Sequence, residues 1–344
     1  MDITGKKGKI SRRVRLQDIA TICGVSVSTV SRALADGSGV RPDLVARIQK
    51  AAQDFSYAMP SSLAGQKVMV LASAAAMVDY TRSQFTLQVM QGLGDRAALL
   101  RLQVITRAVA DSEDERRILQ EVEADDSIAG LLFLTLDDEA MLAPTRGFSK
   151  PIVLVNGDDP TMRLSSIAPS NRAAAALATG HLLTLGHRRI LFLMRRGRRT
   201  IERRFEGWRD RMVAAGVHDP ALVVEVADWL PELAADAVRA RLRQGRDFTA
   251  ILAAGDSLAI GALQALAAEG VAVPGEVSVM GMDSLPQGAF QTPPLSAIQM
   301  PMREIGAAAV DLLREILTGL PLPARRIELA CGLQERGSTG PAPR

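Results

Sequence analysis

Residues 16–35 read LQDIATICGVSVSTVSRALA. Leu16, Ile19, Ala20 and Cys23 recur at the three-and-four spacing of one helical face. Gly24 follows, a residue able to turn the chain with φ above zero. A second short helix is then expected, with Val25 and Val30 turned inward. Ser26 is placed to cap it by accepting an amide of its first turn. Ala20 is small enough for the second helix to cross the first closely. The spacing is that of a helix-turn-helix. The outward positions Val27, Ser28, Thr29, Ser31 and Arg32, together with Leu16, are then expected to meet the major groove of double-stranded DNA.

Two small amphipathic helices buried inside another fold would show a similar pattern. The surroundings favour the DNA reading. The pair sits near the N-terminus, after a basic arm of Lys6, Lys7, Lys9, Arg12, Arg13 and Arg15. Beside a helix-turn-helix such an arm tracks phosphates. Residues 42–57, PDLVARIQKAAQDFSY, read as a third helix with an apolar stripe of Leu44, Val45, Ile48, Ala51, Ala52 and Phe55. Pro42 suits its first turn. Residues 58–66, AMPSSLAGQ, are small and turn-forming and read as a linker.

Charge is distributed to match. The 344 residues carry a formal charge of +3, but residues 1–65 hold ten Lys/Arg against five Asp/Glu, and the remainder 31 against 33. The basic character therefore lies at the end expected to meet nucleic acid. The two cysteines, Cys23 and Cys331, offer no metal or disulfide framework, and no cofactor is implied. No apolar signal-peptide core and no run of eighteen apolar residues is present, so a cytoplasmic, nucleoid-associated protein is expected, with no membrane partner.

From residue 67 short apolar runs alternate with helical patterns. KVMVLAS, QVITRAV, IAGLLFLTL and PIVLVNG form one strand series; RRILFLM, VVEVAD, FTAILAAG and VSVMGM form another, with helices between. This is the rhythm of two doubly wound parallel sheets. Ligands of such sheets bind beyond the carboxyl ends of the strands, here in a cleft between two lobes. A helix, MREIGAAAVDLLREILTG, and a last strand, RRIELACG, follow.

Read together, these runs resemble the lactose-repressor-type family of bacterial transcriptional regulators over about residues 14–336. VRLQDIATICGVSVSTVSRAL carries the resemblance most specifically. HLLTLGHRRILFL, the R-x-x-G-W-R run from Arg204 to Arg209, AAGDSLAIGALQAL, VPGEVSVMGMDSLP and PPLSAI occur in the family's order. The resemblance implies an all-α three-helix helix-turn-helix headpiece plus an α/β two-lobed periplasmic-binding-protein-like core. It places an arm and headpiece at 1–57, a linker at 58–66 and the core at 67–336. The N-lobe would be about 67–165 and 299–324, the C-lobe about 166–298 and 325–336, with a disordered tail at 337–344. It further implies a homodimer on a pseudo-palindromic operator, most often a repressor, controlled by a small carbohydrate-like effector.

Site residues follow from the same resemblance. Val27, Ser28 and Arg32 match positions that reach base edges, and arginine to guanine is the commonest specific major-groove contact. The family's hinge leucine, which wedges into the minor groove, has only Leu63 as a counterpart in a shortened linker. In the cleft Asp256 matches a carboxylate after a C-lobe strand, Arg204 its arginine partner and Trp229 the stacking ring. Asp159, or its neighbour Asp158, matches an acid at the lobe crossover. Ser73, Met300 and Met302 are expected to face the cleft. A carboxylate with a guanidinium satisfies paired hydroxyls, and a flat ring covers the C–H face of a pyranose. Asp256 could instead cap its own helix, and Arg198 or Arg199 could admit an anionic effector. Gly255 stands where the family often has Asn.

Two other classes are weighed. A transport-type solute-binding protein uses the same lobes but has no use for residues 1–57. An enzyme is not expected, because no nucleophile–His–acid grouping or phosphate loop stands out among His181, His187 and His218. His187 reads as a packing residue.

Overall fold

The computed structural model describes residues 16–35, 39–54, 65–74, 77, 80–317 and 323–343. They form two units, Met1–Gly65 and Gln66–Arg344.

In the first unit α1 (Leu16–Cys23), α2 (Val27–Ala35) and α3 (Pro42–Asp54) enclose one small core. Ile19, Ala20 and Cys23 meet Val30, Ala33 and Leu34 of α2 and Ile48, Ala51 and Ala52 of α3. Gly24 has φ +63°, and the Val25 amide then reaches back to the Ala20 carbonyl at 3.0 Å. That reversal is the usual glycine end of a helix. Arg47 of α3 donates to the Cys23 carbonyl at 2.6 Å, satisfying another open end of α1. The end of the expected third helix (residues 55–57), the basic arm and the linker with Leu63 lie outside the described residues.

The second unit holds two six-stranded sheets. The first contains β1 (Lys67–Ser73), β2 (Gln103–Val109), β3 (Ile128–Leu134), β4 (Ile152–Val155), β5 (Ser165–Pro169) and β11 (Arg326–Leu329), in the order β11-β5-β4-β3-β1-β2. All of its pairings are parallel. The second contains β6 (Ile190–Met194), β7 (Val223–Glu225), β8 (Ala250–Ala253), β9 (Ser278–Asp283), β10 (Ser296–Gln299) and β12 (Gly332–Gln334), in the order β12-β10-β9-β8-β6-β7. Only β12 with β10 is antiparallel there. Central strands such as IAGLLFL of β3 are apolar throughout because helices cover both faces.

The first lobe carries α4 (Tyr80–Leu99), α5 (Ser112–Ala124), α6 (Glu139–Leu142) and the late helix α12 (Met302–Leu317). The second carries α7 (Asn171–Thr184), α8 (Arg199–Ala214), α9 (Pro231–Arg243), α10 (Asp256–Ala268) and α11 (Pro286–Ala289). α12 packs on α4 through two glycines. A Cβ on Gly306 would lie 2.1 Å from the Val89 carbonyl, and one on Gly92 only 1.9 Å from that of Arg303. Gly207 plays the same part between α8 and α7, 2.1 Å from the Arg172 carbonyl. In the Arg204–Arg209 run Gly207 and the fully buried Trp208, whose indole N–H donates to the Ile190 carbonyl at 3.2 Å, are therefore packing residues.

Three expectations need correction. β5, SSIAP, is a first-lobe strand, although its short polar start gives no apolar run and the resemblance places residues from 166 in the C-lobe. β11 pairs in parallel with β5, so residues 326–329 also belong to the first lobe rather than to the C-lobe segment 325–336. Strand periodicity carries no information about which sheet edge a strand joins. The tail expected to be disordered is held in place as far as residue 342. Ser338 is fully buried and exchanges bonds with the Val279 backbone at 2.8 and 2.6 Å, and the Ala342 amide donates to the Leu185 carbonyl at 2.8 Å. His187, expected to pack, is the centre of that attachment. Its ring nitrogens lie 2.9 Å from the Thr249 hydroxyl and 3.0 Å from both the Ser278 hydroxyl and the Gly340 carbonyl.

Candidate DNA-facing helix and ligand cleft

α2 is capped as its sequence suggests. The Ser26 hydroxyl accepts the Thr29 amide at 3.1 Å and lies within 2.9 Å of the Ser28 and Thr29 hydroxyls. Ser28, Ser31 and Arg32 are exposed, and Thr29 is half-buried. Among the described residues, Arg32 makes one weak hydrogen bond, to the Ser28 carbonyl at 3.4 Å. Val27 and Leu16 differ from expectation, because both are half-buried against the headpiece core. The freely presented set on α2 is thus two hydroxyls and a guanidinium, a short polar face suited to base edges and phosphates.

In the second unit the carboxyl ends of both sheets face one cleft. Three connections pass between the lobes: β5 to α7, β10 to α12 and β11 to β12. Arg204 of α8 is buried at the second-lobe wall. Its Nε donates to Asn171 Oδ1 at 2.8 Å, and its Nη1 reaches the Ala254 carbonyl and Asp283 Oδ1, the latter at 3.3 Å. Asp283, the last residue of β9, is thus the carboxylate beside the arginine. The other Asp283 oxygen lies 3.4 Å from the Asp256 amide. Trp229 stands in the loop after β7, half-buried. A Cβ on Gly255 would lie 3.2 Å from the Trp229 ring and 3.3 Å from Asp283 Oδ2, so Gly255 makes room for both.

Asp256 has another place. Its side chain is fully buried, and Oδ2 accepts the Leu285 amide at 2.7 Å. Oδ1 has no partner, and a Cβ on Gly281 would lie 2.3 Å from it. Burial pushes the Asp256 carboxyl up, and the adjacent charge of Asp283 adds to the effect. Burial raises Asp283 as well, against the lowering pull of Arg204. The spacing AAGDS located the right loop, but the carboxylate that meets Arg204 comes from the next strand. Its signal was an acid closing the apolar run VSVMGMD.

Asp159 is likewise consumed by its own loop. Its two oxygens accept the Thr161 amide and hydroxyl and the amides of Arg163 and Leu164, at 2.7–3.1 Å. Burial acts to raise this carboxyl, but those bonds outweigh it and hold it below the usual range. Met300 is buried in the β10–α12 crossover, with its sulfur 3.4 Å from Cys331 Sγ and its amide 3.4 Å from the Asp283 carbonyl, and Met302 is buried too. Ser73 ends β1 at the cleft side and is half-buried. Arg198 is not free for an anion, because its Nε donates to Asp137 Oδ1 at 2.9 Å and its Nη2 to the Asn156 carbonyl at 2.7 Å. Among the described residues no group of three metal-ligating side chains converges, and no helix is long and apolar enough to cross a membrane.

The cleft wall therefore offers a carboxylate, a guanidinium, an amide and an indole ring within one small region. That set can hold vicinal hydroxyls by charge-assisted bonds and cover an apolar sugar face.

Comparison with known proteins agrees with both halves. Residues 15–59 match the model of bacterial regulatory proteins, lacI family, and residues 179–339 match the periplasmic binding protein-like domain. The chain is 32% identical to the HTH-type transcriptional regulator MalR of Streptomyces coelicolor over 339 residues, covering 96% of this chain and 97% of that protein. It is 28% identical to the ribose operon repressor of Escherichia coli over 337 residues, covering 94% and 99%. Its fold matches that of the lac repressor dimer bound to operator and the anti-inducer ONPF with a TM-score of 0.71, at 24% identity, covering 96% of this chain and all of that one (100%).

Proposed function

The chain belongs to the lacI family of bacterial regulatory proteins, and from that premise we propose how its two units work as a transcriptional regulator. The helix-turn-helix unit binds operator DNA and the two-lobed unit binds a small effector. α2 lies in the major groove of each half of a pseudo-palindromic operator, bound by a homodimer. Arg32 reads a base edge, most simply a guanine, while Ser28, Thr29 and Ser31 contact bases or phosphates. Val27 and Leu16 support the helix from its core side and reach DNA only at their exposed edges. Leu63 is the candidate minor-groove wedge. The protein acts in the cytoplasm and catalyses no reaction.

The effector is a neutral sugar or sugar derivative held by Arg204, Asp283, Asn171 and Trp229. The observation that carries this reading is the buried Arg204 guanidinium set between Asn171 and Asp283, with Trp229 cleared by Gly255. Asp256 supports the site from behind by anchoring the backbone of Leu285. Control of operator affinity requires that the effector bind the two core conformations unequally.

A thermal-shift panel on the full chain tests the cleft. Neutral mono- and disaccharides, ribose among them, are compared with sugar acids and sugar phosphates. Ligand at 100 times its Kd adds about 2.7 kcal/mol of stability. Stabilisation by a neutral sugar, lost in Arg204→Ala, supports the reading, whereas a response to acids or phosphates alone overturns it. Selection of duplexes from random DNA by the full chain tests the headpiece.

A further inference from the structure

Two sets of ion pairs run from the first lobe to the second. Asp137, which follows β3, is fully buried. Its carboxylate accepts Arg198 Nε at 2.9 Å and the Thr200 amide at 3.2 Å. Arg198 immediately precedes α8 and Thr200 lies in its first turn, so an acid of one lobe rests on a helix N-terminus of the other. Asp158, which follows β4, is reached from α8 by Arg203 at 3.2 Å and Arg199 at 3.8 Å. Arg326 of its own lobe holds it at 2.8 Å.

The order of strands places the Asp137 contact away from the hinge. In the first sheet the crossovers leave from β5 and β11, at one edge, and β3 lies two strands inward from β5. In the second sheet β10 and β12 take the same part, and β6, which leads to Arg198, lies beyond β9 and β8. Opening about the crossovers therefore separates Asp137 from Arg198. Among the described residues, the same junction leaves Asn156 Oδ1, Thr200 Oγ1 and Arg199 Nε buried without hydrogen-bond partners. Strong pairs beside unsatisfied polar atoms make a closure that is held but not locked.

We propose that Asp137–Arg198, seconded by Asp158–Arg203, is a ligand-independent latch that sets how much of the effector-free protein is already closed. It uses none of Arg204, Asp283, Asn171 and Trp229, the groups proposed to hold the effector, and it is independent of the DNA sequence bound. A latch of this kind scales apparent effector affinity by the fraction of protein in the competent conformation.

The test uses the full chain without effector or DNA. Small-angle X-ray scattering and acrylamide quenching of Trp229 are compared for the wild type, Asp137→Asn, Arg198→Lys and Arg203→Gln, with the buried Trp208 as a constant background. The latch predicts a larger radius of gyration and at least a twofold rise in the quenching constant for Asp137→Asn, and smaller changes of the same sign for the other two. Should Asp137→Asn fail to fold by circular dichroism, the two arginine variants decide. Wild-type scattering and quenching in every folded variant would overturn the proposal.

Discussion

Arg204 Nη1 lies 3.3 Å from Asp283 Oδ1, while Asp256, one residue beyond Gly255, turns its carboxylate to the Leu285 amide instead. Two acids that look interchangeable in sequence are thereby given different work. Asp283→Asn is expected to abolish effector-dependent thermal stabilisation and to leave the effector-free melting temperature nearly unchanged. Asp256→Ala is expected to do the reverse. It leaves a buried amide unpaired, which costs on the order of 1–3 kcal/mol. Melting curves of both variants with and without effector check the division.

Gly306 is a packing residue. A Cβ there would meet the Val89 carbonyl at 2.1 Å, and backbone cannot step aside as a flexible side chain can. Gly306→Ala is expected to destabilise the first lobe by about 1–3 kcal/mol despite alanine's better helix propensity. Denaturant unfolding measures it, and a neutral or stabilising result refutes the crossing geometry.

Glu115 of α5 is fully buried, and among the described residues neither carboxylate oxygen has a hydrogen-bond partner. Burial first, and then the charge of Asp138, push its carboxyl up from 4.5 to about 8. Between those values the folded chain keeps a proton that the unfolded chain has lost. Stability from this group therefore falls as pH rises through that window, by up to about 1.4 kcal/mol per pH unit, and levels off above it. Glu115→Gln should remove that slope, as melting temperatures from pH 5 to pH 9 will show.

Ser26→Ala removes the oxygen that accepts the Thr29 amide. Loss of such a cap costs about 0.5–2 kcal/mol. Faster amide exchange in α2, with exchange in the second unit unchanged, is the expected result.

Arg32→Ala should relax sequence preference. Loss of a bidentate base contact costs about 1–3 kcal/mol against the preferred duplex and much less against random DNA. Competition binding at fixed salt separates this from a phosphate contact, which would weaken both equally.

The periodicity of Ile19, Ala20 and Cys23, the glycine after them and the serine cap were readable because a helix face, a turn and a cap are local. The strands β1 and β3 are readable for the same reason, as nearly continuous apolar runs. β5 was not, since SSIAP has no such run and becomes a strand through its neighbours β4 and β11. The order of the tail is not legible locally, because its small polar residues carry no periodicity and are fixed only by contacts such as that of Ser338 with Val279.

Within the site the same division holds. The motifs point to Arg204 and Trp229 as candidates, and Gly255 departs from the family pattern where a Cβ would meet the Trp229 ring. The pairing of Arg204 with Asp283 and Asn171, and the engagement of Arg198 by Asp137, are not readable that way. The amino-acid order by itself determined the helices, most of the strands, the two units and the residue types available to the cleft, because each depends on neighbours within a few positions along the chain. Which carboxylate faces which guanidinium was decided only by tertiary structure. Sheet order and the lobe crossovers bring together residues as far apart as Asp137 and Arg198, and distance in space governs a charge interaction.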